Sequence, residues 1–200
     1  MKSDLLIFCT AAEQNSDLYR RRVERWRDQF KGVDADLMCV TDGKFPKIDG
    51  VDVVAIQPPL GRPSPDSHVF PGWKRSFAEG IMQGQEYRYL AHVENDVVIL
   101  NMARFLSFAK TDGVHCGYTH IYNFIESAIL ILNDKGRASE LAHYLAHRLY
   151  ENRTAESIVY QICTPQISFD GERYEGHCER IKPGHDYIAQ YDYDSPIRPI

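Results

Sequence analysis

Tyr87-Arg88-Tyr89-Leu90-Ala91-His92-Val93-Glu94-Asn95-Asp96-Val97-Val98-Ile99-Leu100 decides the reading of this chain, because its apolar run is broken by two carboxylates, Glu94 and Asp96. In an extended strand, residues two apart share a face, which would aim both carboxylates the same way. Desolvating two like charges together is costly unless a cation or hydrogen-bond donors compensate. A divalent ion such as Mg2+ or Mn2+, which takes carboxylate oxygens, would do so. The competing reading ends the strand at Val93 and leaves Glu94-Asn95-Asp96 as a solvated turn.

Upstream, Asp4 to Cys9 reads as a buried first strand, with a loop over Thr10 to Ser16 after it. Tyr19, Val23, Trp26 and Phe30 recur at helical spacing, and Arg20, Arg21, Arg25, Arg27 and Asp28 fill the other, solvated face. Asp36 to Thr41, stopped by Asp42-Gly43, and Val51 to Ile56 are the next strands. Between Gln57 and Gly72, the prolines Pro58, Pro59, Pro63, Pro65 and Pro71 exclude regular structure, and loops of this length are often functional. A helix from Trp73 toward Gly84 then leads into the opening run.

Downstream, Asn101 caps a helix with Met102, Phe105, Leu106 and Ala109 inward and Gly113 beyond its end. Val114 to Thr119 and Ser127 to Leu132 read as strands. Asn133-Asp134 opens a long helix with Ala138, Leu141, Ala142, Leu145 and Leu149 inward, and a shorter helix spans Thr154 to Cys163. Tyr191 to Ile200 is polar and proline-bearing, which predicts a loose tail.

A chain of 200 residues suits a single domain over 1–200. Its formal net charge of -5 argues against a phosphate-backbone partner, so no nucleic acid is expected. The apolar run Leu5 to Cys9 is too short for a signal-peptide core or a membrane span, which predicts a cytoplasmic protein with no integral membrane segment. Cys9, Cys39, Cys116, Cys163 and Cys178 are odd in number and scattered, predicting buried reduced thiols rather than a disulfide framework or structural zinc.

The alternation of strands and helices predicts an α/β fold with a mostly parallel central sheet and helices on both faces. In such sheets ligands bind outside the carboxyl ends of the strands. That rule collects Thr10, Ala11, Thr41, Asp42, Glu94 and Asp96 at one edge.

Val93 to Val98 resembles the Glu-x-Asp form of the metal-binding triplet of GT-A glycosyltransferases. Gly72-Trp-Lys-Arg-Ser-Phe-Ala-Glu-Gly80 is similar to the helix before that triplet, and Val40-Thr-Asp42 to the base-recognising end of the second strand. The resemblance runs from the first strand to at least Leu132. It implies a Rossmann-like GT-A fold, with a nucleotide-binding half over 1–100, an acceptor-side half over 101–190 and the tail over 191–200. It also implies transfer of a sugar from a nucleoside diphosphate sugar donor to a glycan or other hydroxyl acceptor, with Mn2+ or Mg2+ as cofactor. The metal would stabilise the charge developing on the diphosphate leaving group.

The resemblance assigns roles residue by residue. Asp96 is the direct metal ligand; Glu94 meets the ribose or reaches the metal through water, and Asn95 completes the nucleotide-sugar-binding triplet. Asp42 accepts the base N–H, and Thr10 and Ala11 offer backbone to the nucleotide. Lys74 or Arg75 neutralises a phosphate, against the simpler reading of solvated helix cations. A further metal ligand is His177 or His185, each preceded by glycine. An inverting enzyme needs a base for the acceptor hydroxyl, for which Glu156 and Glu126 are the candidates; a retaining enzyme needs none. The Gln57 to Gly72 loop and His120 to Phe124 would shape the sugar pockets, and the short C-terminal part suggests a small acceptor site, a protein partner or a homo-oligomer. Two other readings share the fold: a sugar-nucleotide-forming nucleotidyltransferase and a non-catalytic nucleotide-sugar-binding scaffold. Against the former, Thr10 to Ser16 contains no glycine and no cation.

Overall fold

The computed structural model describes residues 2–12, 16–63, 69–99, 101–116, 129–153, 158 and 188–190. Its elements are β1 (Leu5–Ala12), α1 (Ser16–Gln29), β2 (Asp36–Asp42), β3 (Asp52–Ile56), α2 (Pro71–Gln83), β4 (Tyr89–Val93), β5 (Val97–Ile99), α3 (Met102–Ala109), β6 (Val114–Cys116), β7 (Ile129–Leu132), α4 (Lys135–His147) and β8 (Ile188–Gln190). A 3-10 turn over Gly84–Glu86 joins α2 to β4. The six-stranded sheet runs β3-β2-β1-β4-β7-β6. The first four of these are parallel, and β7 is antiparallel to both its neighbours. This is the mixed α/β architecture expected from the alternation of apolar runs.

β1 is central and almost wholly buried, which is why its sequence is apolar on both faces. The pleat sends Phe8 toward α2, where its ring meets Phe77 at 5.6 Å and His92 at 4.9 Å. Gly80 permits this approach, since a Cβ there would run into the Phe8 ring. Burial of Phe8 alone contributes about 2 kcal/mol. Lys74, near the start of α2, donates to the carbonyls of Arg148 (3.2 Å) and Glu151 (2.6 Å) just beyond α4, fastening the two helices. Ile7 and Cys9 alternate to the opposite face. There Phe30, just past α1, meets Phe105 of α3, with ring centroids 5.9 Å apart. The caps are those expected: Asn101 accepts from the Arg104 amide and Asp134 from that of Arg137, each at 3.0 Å.

Two expectations change. β1 runs on to Ala12, because β2 continues alongside it and pairs Thr10 with Val40, Ala11 with Thr41 and Ala12 with Asp42. Thr10 and Ala11 are therefore strand residues, not the start of a loop. The opening run is not one strand either. β4 stops at Val93, the Val97 amide donates to the Glu94 carbonyl at 3.1 Å, and β5 departs to pair with β8 in a separate two-stranded sheet. Asn and Asp favour such a turn, so the alternation that would aim Glu94 and Asp96 the same way does not operate.

The expected helix over Thr154 to Cys163 lies outside the described residues except for Ile158, and so do the tail over 191–200 and the His120 to Phe124 segment. Cys9 and Cys39 are free and buried, as expected. No helix among the described residues is long and apolar enough to cross a membrane.

Candidate functional site

The turn that breaks the opening run is not solvated. Asn95 is 9% exposed and Asp96 6%. A buried turn must satisfy its polar groups within the protein. The Asn95 side-chain amide donates to the carbonyl of Thr10, stitching the turn to the end of β1. Asp96 Oδ2 lies 3.6 Å from Arg22 Nη1 of α1, and both side chains are almost fully buried. Glu94 is half-buried.

α1 therefore supplies part of the site. The Arg22 guanidinium sits 5.8 Å from the Tyr19 ring centroid. Burial pushes the Tyr19 hydroxyl pKa above its ordinary value; the Arg22 charge opposes that, and Asp96 and Glu94 push it further up. The inner face of α1 and both carboxylates thus share one electrostatic neighbourhood. Behind them the Cys9 thiol is held well above its usual pKa, first by burial, then by Cys39 beside it and by Asp96. Further along the same face, Gln29 behaves as a strand edge for β5: its amide nitrogen donates to the Val97 carbonyl at 3.1 Å and its oxygen accepts from the Ile99 amide at 2.8 Å.

Arg22 and Gln29 were not among the residues singled out from sequence. The signal was available in their spacing. Arg22 stands three residues after Tyr19 and four before Trp26, and Gln29 three after Trp26, which puts both on the apolar stripe and not on the charged face. A polar side chain on a buried stripe requires a partner, and the partner of each is the segment that begins with the triplet. The outer face behaves as expected: Arg21 and Arg25 are exposed, Arg20 pairs with Glu24 at 3.2 Å and Arg27 with Asp28 at 2.7 Å.

At the end of β2, Asp42 is 3% exposed. Its carboxylate accepts from the amides of Leu60 (3.0 Å) and Gly61 (2.7 Å) and from Arg75 Nη2 (2.6 Å). The same Arg75 nitrogen donates to the Pro58 carbonyl at 2.6 Å. Asp42 thus clasps the proline-rich loop to the first turns of α2, and Gly72 leaves room for it, since a Cβ there would overlap the carboxylate. Neither helix cation fits the solvated reading. Arg75 is engaged by Asp42, while Lys74 is 1% exposed and spent on the carbonyls after α4. Burial lowers the Lys74 pKa, with Glu151 opposing the shift.

The structure therefore joins Thr10 to Asn95, Asp96 to Arg22 and Asp42 to Arg75, and Ala11 is buried. Glu126, Glu156, His177 and His185 lie outside the described residues. No group of three or more His, Cys, Asp or Glu gathers around a metal position among the described residues. The triplet still supplies two hard-oxygen carboxylates, and Mg2+-type ions are commonly held by one or two carboxylates together with substrate phosphates. The chemistry of this donor set fits such an ion.

No family model matches the chain, and no curated protein matches it. Its fold is shared with solved glycosyltransferases. The galactosyltransferase LgtC, in complex with donor and acceptor sugar analogues, superposes with a TM-score of 0.58 at 9% identity, covering 94% of this chain and 86% of that one. The glycosyltransferase GlyE of Streptococcus pneumoniae TIGR4 gives 0.53 at 13% identity over 87% of this chain, which spans only 46% of GlyE. Mouse xyloside xylosyltransferase 1 gives 0.50 at 11% identity, covering 99% of this chain and 100% of that one. At identities this low the likeness establishes architecture: the chain has the mixed α/β fold of these glycosyltransferases.

Proposed function

We propose that this protein is a glycosyltransferase that moves a sugar from a nucleoside diphosphate sugar to a hydroxyl acceptor, with a divalent cation held at the turn after β4. The observation that carries the reading is a buried carboxylate, Asp96, at the carboxyl end of the sheet, facing a buried arginine in a turn tied to β1 through Asn95 and Thr10. Burying a carboxylate is costly, and buried, charge-paired carboxylates cluster at functional sites. The shared fold supports the reading, since the solved structures named above that share it are glycosyltransferases.

In this proposal Asp96 and Glu94 would hold the cation. When bound, it supplies positive charge against the diphosphate leaving group. Asn95 holds the turn against β1, so the carboxylates need no rearrangement at the moment of reaction, which is the basis of electrostatic preorganisation. Asp42 is the proposed acceptor for a base N–H, which would share the carboxylate with the Leu60 and Gly61 amides and Arg75. His177 or His185 is proposed as a further ligand, and Glu126 or Glu156 as the base for the acceptor hydroxyl.

The test is release of nucleoside diphosphate from a panel of nucleoside diphosphate sugars with and without Mn2+, for the native protein and Asp96→Asn. Mn2+-dependent release that falls at least about 100-fold in the variant is expected. An undiminished rate in Asp96→Asn contradicts the proposal. Pyrophosphate release from a nucleoside triphosphate and a sugar phosphate would assign a nucleotidyltransferase instead.

A further inference from the structure

Arg22 brings to Asp96 the same sign of charge that a divalent cation would bring. The backbone of the turn is already fixed without it: Asn95 ties the turn to Thr10, and Gln29 holds β5 immediately after it through both a donor and an acceptor. Arg22 Nη1 faces the Asp96 carboxylate across 3.6 Å, whereas Arg75 Nη2 sits 2.6 Å from Asp42. A buried carboxylate without a counter-charge is strongly disfavoured. Arg22 supplies that charge.

We propose that Arg22 is a positioning residue acting as a resident counter-charge to Asp96: it weakens the affinity of the turn for a divalent cation arriving alone. A cation accompanied by a diphosphate meets a different balance, because the diphosphate brings negative charge for both the cation and the guanidinium. Arg22 thereby favours loading of the metal together with the nucleotide. This inference rests on the proposal that the Glu94–Asp96 turn is a metal site.

The experiment titrates Mn2+ alone, without nucleotide, into the native protein, Arg22→Gln, Arg22→Lys and Asp96→Asn, with melting temperatures recorded for each. Arg22→Met serves as a second neutral variant should Arg22→Gln fail to fold. A counter-charge role predicts that the neutral variant binds Mn2+ about tenfold more tightly than the native protein. Arg22→Lys, which keeps the charge, stays close to native affinity, and Asp96→Asn loses the binding. A brace role predicts the opposite sign, with the neutral variant binding more weakly as the carboxylate loses its placement. Unchanged or weaker Mn2+ binding in the neutral variant, with binding still lost in Asp96→Asn, overturns the inference and leaves the metal site standing. Binding insensitive to Asp96→Asn overturns the metal site itself, and the inference with it.

Discussion

Asp42 and Asp96 both lie at the carboxyl ends of strands, both are almost fully buried, and both face an arginine, yet the fold treats them differently. Asp42 accepts from two backbone amides and a guanidinium at 3.0 Å or less, and its neighbour Gly72 is shaped to admit it. Asp96 faces its arginine at 3.6 Å from within a turn whose backbone is held by other residues. The contrast teaches that burial and an arginine partner do not by themselves mark a functional carboxylate. What distinguishes the two is that Asp42 itself ties the proline-rich loop to α2, whereas the turn carrying Asp96 is also tied by Asn95 and Gln29.

The largest effect expected from that contrast is on stability at Asp42. Asp42→Ala would strand Arg75 and the Leu60 and Gly61 amides, a loss of about 4 kcal/mol in urea unfolding, typical of breaking a buried pair. Asp96→Asn keeps the shape of its side chain and should cost less than half as much while stopping transfer; a reversed order of stabilities would break the comparison. Next comes Gly72→Ala, whose Cβ would displace the Asp42 carboxylate, at about 2 kcal/mol. Combined with Asp42→Ala, it should cost clearly less than the two single losses added, and simple additivity would show that the clasp does not couple them.

Gln29→Ala should remove about 1 kcal/mol and speed amide exchange at Ile99, leaving exchange within β4 unchanged. A further effect, read from pH dependence, lies at the opposite end of the strands. There Tyr87 donates to Asp36 Oδ2 at 2.9 Å, beside a cavity of about 460 Å3 lined by Lys2, Asp36, Asp52 and Glu86 among others. Burial, aided by its hydrogen bond to Asp36 and by the nearby acidic charges, pushes the Tyr87 hydroxyl pKa from 10.0 up to about 12. A raised acid pKa means that the folded state keeps its proton longer, so this stabilisation is complete below pH 10.0 and is lost as pH rises through about 12. Tyr87→Phe should therefore be less stable than the native protein at neutral pH, with the gap closing over that window. A gap constant with pH would contradict the assignment.

Much of the fold was legible because burial writes itself into periodicity. The stripe of α1, the caps at Asn101 and Asp134 and the apolar strands were each local signals that tertiary packing left in place. The break within Tyr87 to Leu100 was harder to read. The apolar residues on both sides are buried in two different sheets, so hydrophobicity continues through a point where the backbone turns. The solvated-turn alternative had the backbone right and the solvation wrong. Reading the triplet as paired carboxylates also hid its partners, because Arg22 was one arginine among several until its place on the buried stripe was considered. Lys74 illustrates the reverse: its place in the Trp73-Lys74-Arg75 motif suggested phosphate, whereas its side chain reaches from α2 to carbonyls more than seventy residues away in the chain.

The central claim is that a nucleoside diphosphate binds at the carboxyl ends of the strands through a cation held at Asp96. Calorimetric titration of UDP and GDP into the native protein and Asp96→Asn, with and without Mn2+, tests it most directly. The account predicts that at least one of the two binds the native protein only with Mn2+ present, and that Asp96→Asn weakens that binding at least about 30-fold while its melting temperature stays close to native. Equal Mn2+-dependent affinity in the two proteins, or no binding of either nucleotide to the native protein, would contradict it.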